Sequence, residues 1–225
     1  MSFQPLAALG HMQETAAHFL KPVEFRTVRS SEELKSAMRL VYREYVARGY
    51  LTPNPAELKL SIYNALVTTT TLVAIHHSAG VIATVSLIQD SPLGLPMDEV
   101  YKAELDDMRR DGHQLAEASM LALDSRLFGG RRVFTLFHPK KMFLTLRLFK
   151  ALFDYMRVMT RADELEACFN PKHQSLYDLL HMQPLDLKLL AFNMLSHIGH
   201  ERRNYFRALT PNDSFHSLLK IHHLQ

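Results

Sequence analysis

From Val23 to Val28 hydrophobic and polar positions alternate, which predicts a half-buried strand. Ser30 precedes Glu33 by three residues, the spacing of a helix capping box. From residue 31 to 48 the period lengthens, and Leu34, Met38, Val41 and Tyr45 fall on one helical face before Gly49 stops the helix. Pro53-Asn54-Pro55 makes a turn, and a short helix is expected over residues 56–66. Two β-branched runs, Thr68–Ile75 and Val81–Ile88, flank Ser78-Ala79-Gly80 and predict a hairpin. Asp90-Ser91-Pro92-Leu93-Gly94-Leu95-Pro96 breaks the pattern. An exposed acidic helix follows over 97–111, ended by Asp111-Gly112. Leu115–Leu123 reads as a strand and Gly129-Gly130 as a loop. Residues 142–159 read as a strongly apolar helix, with Phe143, Leu146, Phe149, Phe153 and Met156 on a broad face. Glu164–Phe169 is another strand. Asn170-Pro171 caps a helix over 171–180. A strand is expected near 184–187 and a closing edge strand over 205–209, while 189–200 fit no single element. The order is α/β or α+β, with an arm over 1–20, one domain over 21–210 and a tail over 211–225.

Composition narrows the class. A chain of 225 residues, 47% apolar and 22% charged, buries a sizeable core without disulfides or metal. Lys and Arg exceed Asp and Glu by 26 to 23, a surplus too small for a general polyanion binder, so no nucleic-acid partner is expected. That surplus is unevenly placed. Residues 126–150 hold Arg126, Arg131, Arg132, Lys140, Lys141, Arg147 and Lys150 with no acid; +3 overall less +7 here leaves −4 on the other 200 residues. The 13 His are scattered rather than gathered as a metal tract. Cys168 is the one cysteine, which excludes an intramolecular disulfide and fits a reducing compartment. No uninterrupted apolar run reaches transmembrane length and no secretory leader stands at the start, so a cytoplasmic location is expected.

The familiar nucleotide-binding loops, H-E-x-x-H, C-x-x-C and G-x-S-x-G are all missing. Glu117 lies mid-strand between two alanines. A desolvated carboxylate there suits a general base near neutral pH, whereas the ordinary reading turns it to solvent. Arg43, near Tyr42, Tyr45 and Tyr50, has the fork geometry to clamp a carboxylate, or is an exposed helical arginine. Tyr177 follows Asn170 by seven residues and reads either as an acid for a leaving thiolate or as a core aromatic. His173 reads as a substrate contact or an exposed turn residue. Cys168 reads as a small buried hydrophobe.

V-Y-R-E-Y-V-A-R-G-Y-L (41–51), S-L-I-Q-D-S-P-L-G-L-P-M-D-E (86–99), L-A-E-A-S-M-L-A-L-D (115–124) and N-P-K-H-x-x-L-Y-x-L-L (170–180) together resemble the FeeM-type N-acyl amino acid synthases. These are a branch of the GNAT-like acyltransferases related to acyl-homoserine-lactone synthases. The resemblance spans roughly residues 22–187. It implies a mixed, mostly antiparallel, splayed central sheet flanked by helices, and transfer of a long acyl chain from acyl carrier protein to the α-amine of an amino acid. The opening strands would be 115–123 and 164–169. By the same resemblance Glu117 would be the base and Tyr177 the acid. Arg43 would hold the acceptor's carboxylate, and Tyr45, Ser119, Asn170 and His173 would line the substrate site. Backbone N–H groups of strand 115–123 would meet the oxyanion.

The usual acetyltransferase pyrophosphate loop is replaced by His138-Pro139-Lys140-Lys141-Met142-Phe143. That implies no enzyme-bound cofactor and no metal, with the 4′-phosphopantetheine arm of acyl carrier protein bringing the acyl group. Arg131, Arg132, Lys140, Lys141 and Arg147 would form the carrier's docking patch; an ordinary solvated face is the alternative. Other readings stay open. In a homoserine-lactone-type synthase, the hallmark E-x-S-R-F would be matched only by Glu117 and Ser119, because Met120 and Leu121 replace Arg and Phe. A catalytically silent acyl-binding module would have no need of Glu117.

Overall fold

Ser30 begins the first helix in the way its spacing predicts: its side chain accepts the Glu33 N–H at 3.2 Å. The reciprocal half of the box is rerouted. Glu33 accepts the Arg29 N–H at 2.7 Å and takes the Arg26 guanidinium in a two-pronged grip at 2.7 and 2.9 Å. This ties the preceding strand to the helix start. The computed structural model describes residues 22–128, 138–169, 182–184 and 204–209.

The elements are β1 (Val23–Thr27), α1 (Ser31–Val46), β2 (Thr69–His76), β3 (Gly80–Gln89), α2 (Asp98–Arg110), β4 (Leu115–Leu123), α3 (Pro139–Met159), β5 (Glu164–Phe169), β6 (Met182–Pro184) and β7 (Asn204–Leu209). Short 3₁₀ turns occupy Ile62–Ala65 and Ser125–Phe128. The helix expected over 56–66 is thus reduced to one 3₁₀ turn. The apolar helix expected from 142 begins at Pro139 instead.

The chain forms two compact units, and β3 and β4 contribute residues to both. The first unit takes the described residues up to Ser86 together with Met120–Asp154. Its strands lie in the order β1-β2-β3-β4. Buried Ala37, Met38, Leu40 and Val41 of α1 pack with Val73, Met120 and Ala122, and half-buried Leu34 and Tyr45 close around them. In the hairpin, the buried hydroxyls of Thr71 and Ser86 bond at 3.0 Å, and Thr84 Oγ1 donates to the Leu72 carbonyl at 3.0 Å. Polar residues in these strands are thereby buried with partners. Within this unit α3 buries Leu144, Leu148, Phe149, Leu152 and Phe153. The apolar stripe therefore lies slightly round from the predicted one, with Phe143 and Leu146 only half-buried.

The second unit holds Leu87–Ser119 and the described residues from Tyr155 onward, with the strand order β3-β4-β5-β7-β6. β4 and β5 are parallel, while β7 runs antiparallel to both β5 and β6. The segment expected as a closing edge strand is therefore interior, and short β6 forms the edge. Pairing of β4 with β5 joins Leu115–Ala118 to Glu164–Ala167 and stops there, although both strands run on. This is the mixed, mostly antiparallel, splayed α/β architecture that the resemblance implies. Among the described residues, no helix is long and apolar enough to cross a membrane.

The Arg26 guanidinium and the Arg29 N–H hold the Glu33 carboxyl down to about 2 from its ordinary 4.5. A lowered folded-state value contributes stability above the unfolded value and loses it as pH falls. The urea midpoint is expected to drop between about pH 4.5 and pH 2, and Glu33→Gln to flatten that part of the profile.

Candidate active site

Glu117 lies on β4, where the flanking Ala116 and Ala118 are also buried. Its side chain does not face solvent: the residue is 3% exposed, and Oε2 accepts the Met97 N–H at 2.9 Å. Met97 precedes the first residue of α2, so the carboxylate sits at a helix N-terminus, where the helix dipole favours negative charge. Glu166 is its direct neighbour in the parallel register and is fully buried. Arg207 of β7 is opposite Glu166 in turn, and Gln183 of β6 opposite Arg207, so one register row crosses four strands. Half-buried Ser119 follows Glu117 on the same strand face. Met120 then adopts φ +54°, a left-handed conformation rare for a side chain of its size, and interrupts regular extension.

The Asp90–Asp98 loop brings Met97 to Glu117. Gly94 has φ +71°, and its N–H donates to the Ser91 carbonyl at 2.7 Å. The Leu95 N–H donates to Asp98 Oδ2 at 2.6 Å. A Cβ at Gly94 would lie 2.5 Å from that same oxygen, so glycine is needed for both backbone shape and close approach. Arg109 binds Asp90 through Nε and Nη2 at 2.6 and 3.1 Å and Asp98 through both Nη atoms at 2.7 Å. It also binds Asp106 at 2.9 Å. Burial opposes the charged form of Asp98, but the Arg109 and Leu95 hydrogen bonds outweigh it and hold the carboxyl below its usual range.

The first unit contains a second set of buried acids. Glu44 Oε1 accepts the Ser125 N–H and hydroxyl, both at 3.1 Å, and Oε2 accepts from Arg48 at 2.7 Å. Asp124 receives Arg126 at 2.6 Å and Arg43 at 3.0 Å. Burial opposes its charge, yet hydrogen bonds from the Arg126 side chain and N–H, with the nearby Arg43 charge, hold its carboxyl low. Arg43 is thus already engaged with a carboxylate of its own chain, though its side chain remains 39% exposed. Tyr45 meets the Tyr50 ring edge-on at 5.9 Å and packs on the apolar core.

Among the basic candidates, Lys141 is turned inward over the Phe128 ring at 5.5 Å. Burial pushes its ammonium below the ordinary lysine range, aided by Arg48 and opposed by Glu44. Lys140 is half-buried, while exposed Arg147 stacks on Phe25 at 5.6 Å. Arg131, Arg132, Asn170, His173 and Tyr177 lie outside the described residues. Cys168 is half-buried, not fully buried. Sequence reading missed Glu166, Glu44, Asp124 and Arg109. For Glu166 the available signal was the alternation in E-L-E-A-C-F, which places Glu164, Glu166 and Cys168 on one face. Nothing local distinguished the other three from ordinary surface charges.

The family model for the N-acyl amino acid synthase FeeM matches residues 36–186. The chain belongs to the FeeM family. The solved structure of FeeM, an N-acyl amino acid synthase from uncultured soil microbes, is 25% identical, with a TM-score of 0.65 over 84% of this chain and 93% of that one. BjaI, a CoA-dependent acyl-homoserine lactone synthase solved with SAM and isopentyl-CoA, shares the fold at 14% identity and a TM-score of 0.62, covering 88% and 89% of the two chains. The AHL synthase LasI does so at 14% and 0.56, covering 84% and 89%. No curated protein sequence matches significantly. This FeeM-family member is therefore an N-acyltransferase of GNAT-like architecture.

In the FeeM-family chain, truncating Glu44 strands donors from two separate segments, Arg48 and Ser125. Glu44→Ala is expected to cost about 3–5 kcal/mol in urea unfolding, because Arg48 and the Ser125 donors lose their acceptor together. Glu44→Gln, which keeps the shape and one oxygen acceptor, should cost clearly less.

Proposed function

We propose that the chain transfers a long acyl group from the phosphopantetheine arm of acyl carrier protein to the α-amine of an amino acid, with Glu117 as general base. The observation that carries this reading is a buried Glu117 on a strand of the FeeM-family match, with Oε2 accepting the Met97 N–H. Such a bond orients a carboxylate, which is the geometric requirement for a general base. The amine gives its proton to Glu117, directly or through a water, and its lone pair attacks the thioester carbonyl. The C–N bond forms and the carbonyl electrons move to oxygen. N–H groups of β4 beyond Ala118, where pairing with β5 has ended, are the proposed donors to that oxyanion. Collapse breaks the C–S bond, and the departing thiolate takes a proton from Tyr177. Ser119, Asn170 and His173 are kept as proposed substrate contacts. The proposal rests on Glu117 rather than on Arg43 and Tyr45, whose described contacts are with Asp124 and the apolar core.

The carrier is proposed to dock on the basic segment through Arg131, Arg132, Lys140 and Arg147. Lys141 is left out because it is half-buried over Phe128, whereas Arg147 is exposed. An acidic carrier surface complements such a patch and speeds encounter.

Purified protein given long-chain acyl carrier protein and a mixture of amino acids should yield an N-acyl amino acid by mass spectrometry. An intact donor with no product overturns the reading. Formation of a homoserine lactone with S-adenosylmethionine would replace it with the lactone-synthase reading. Glu117→Gln should lower turnover at least tenfold, within the roughly 10²–10⁴ range of general base catalysis or just below it; unchanged turnover removes its role. Paired Lys140→Glu and Arg147→Glu changes should raise the KM for the carrier-bound donor and leave that for a small pantetheine thioester nearly unchanged. Equal effects on both donors would argue against docking there.

A further inference from the structure

We propose that Arg109 is the positioning residue for Glu117, holding together the two pieces of chain that meet in the Met97–Glu117 hydrogen bond. The inference rests on the reading of Glu117 as the base. A guanidinium offers five N–H donors in a fixed fork. In Arg109 the bonds to Asp90, Asp98 and Asp106 number five: one from Nε and two from each Nη. No donor is left for a substrate carboxylate, so the group fastens protein to protein.

What it fastens is specific. Asp90 follows β3, and its N–H donates to the Leu115 carbonyl at 3.0 Å, where β4 begins two residues before Glu117. Asp98 is the first residue of α2, directly after Met97. One arm of Arg109 therefore holds Asp90, which is bonded to the start of the strand that carries the base, and another holds the turn that carries its N–H donor. This brace is needed because α2 is not continuous. Tyr101 has φ −121° and ψ 34°, outside helical values, so the first turn is set off from the rest of the helix. The break lets Asp98 reach Arg109, eleven residues further along. Lysine cannot reproduce the brace, because an ammonium offers a single point charge and three donors on a flexible stem.

Two variants perturb the same chain of contacts by different means. Arg109→Lys removes the fork. Gly94→Ala leaves every charge in place but drives a methyl group to 2.5 Å from the Asp98 carboxylate oxygen. Ser30→Ala, which loses only the α1 cap, serves as a control for general destabilisation. In each of Arg109→Lys and Gly94→Ala, kcat for acyl transfer should fall about tenfold to a hundredfold, the order expected when reacting groups are displaced by an ångström or less. The KM for the donor should change little, and Ser30→Ala should keep its kcat.

The same variants are read without turnover in protein labelled with ¹⁵N at methionine. The Met97 amide proton should move upfield and exchange faster in Arg109→Lys and Gly94→Ala, and stay in place in Ser30→Ala. A Met97 amide unmoved in Arg109→Lys, or a kcat lowered no more than in Ser30→Ala, overturns the proposal. If the wild-type protein transfers no acyl group, the function reading fails separately, and the amide signal still decides whether Arg109 positions the donor to Glu117.

Discussion

A buried carboxylate must be hydrogen-bonded or it gives up its charge, and the second unit is built around meeting that requirement at Glu117. One donor is the Met97 N–H, at the N-terminus of a helix whose first turn is acidic and broken off at Tyr101. Much around it serves that contact. Gly94 supplies a backbone shape closed to other residues, Asp98 closes the turn on the Leu95 N–H, and Arg109 ties turn to strand. The D-S-P-L-G-L-P segment, conspicuous in the sequence as a break, is the piece of structure that delivers a single N–H.

The described partners of the buried acids differ in kind. Glu44 and Asp124 in the first unit are met by Arg48, Arg43 and Arg126, and such pairs fix a buried carboxylate in place. The hydrogen bond described for Glu117 comes from an uncharged group. The arginines nearest to Glu117 in sequence, at 109 and 110, do not supply this bond, and Arg109 spends its donors on aspartates.

Charge on the basic segment is likewise partly spent inside. Lys141 lies over Phe128 and Arg147 over Phe25, so some of the seven positive charges cover apolar rings as well as facing water. These two side chains are thereby anchored against aromatic rings.

Most of the described elements were legible from pattern alone. The limits of β4 and β5, the hairpin, the Ser30 cap and the acidic helix follow from side-chain period and turn residues, which act within a few residues along the chain. The family was legible because several motifs agree at once. Pattern did not decide whether Glu117 faces solvent, since alanine on both sides gives no contrast between faces. It did not place β7 inside the sheet, or bring Asp90, Asp98 and Asp106 around Arg109, or give Arg43 to Asp124. Each of these depends on which distant segments lie side by side, and that is settled by strand pairing and by the need of every buried charge for a partner. The sequence by itself determined the elements and the chemistry available; the tertiary structure decided which carboxylate is buried, what holds it, and which arginine is left with nothing to offer a substrate.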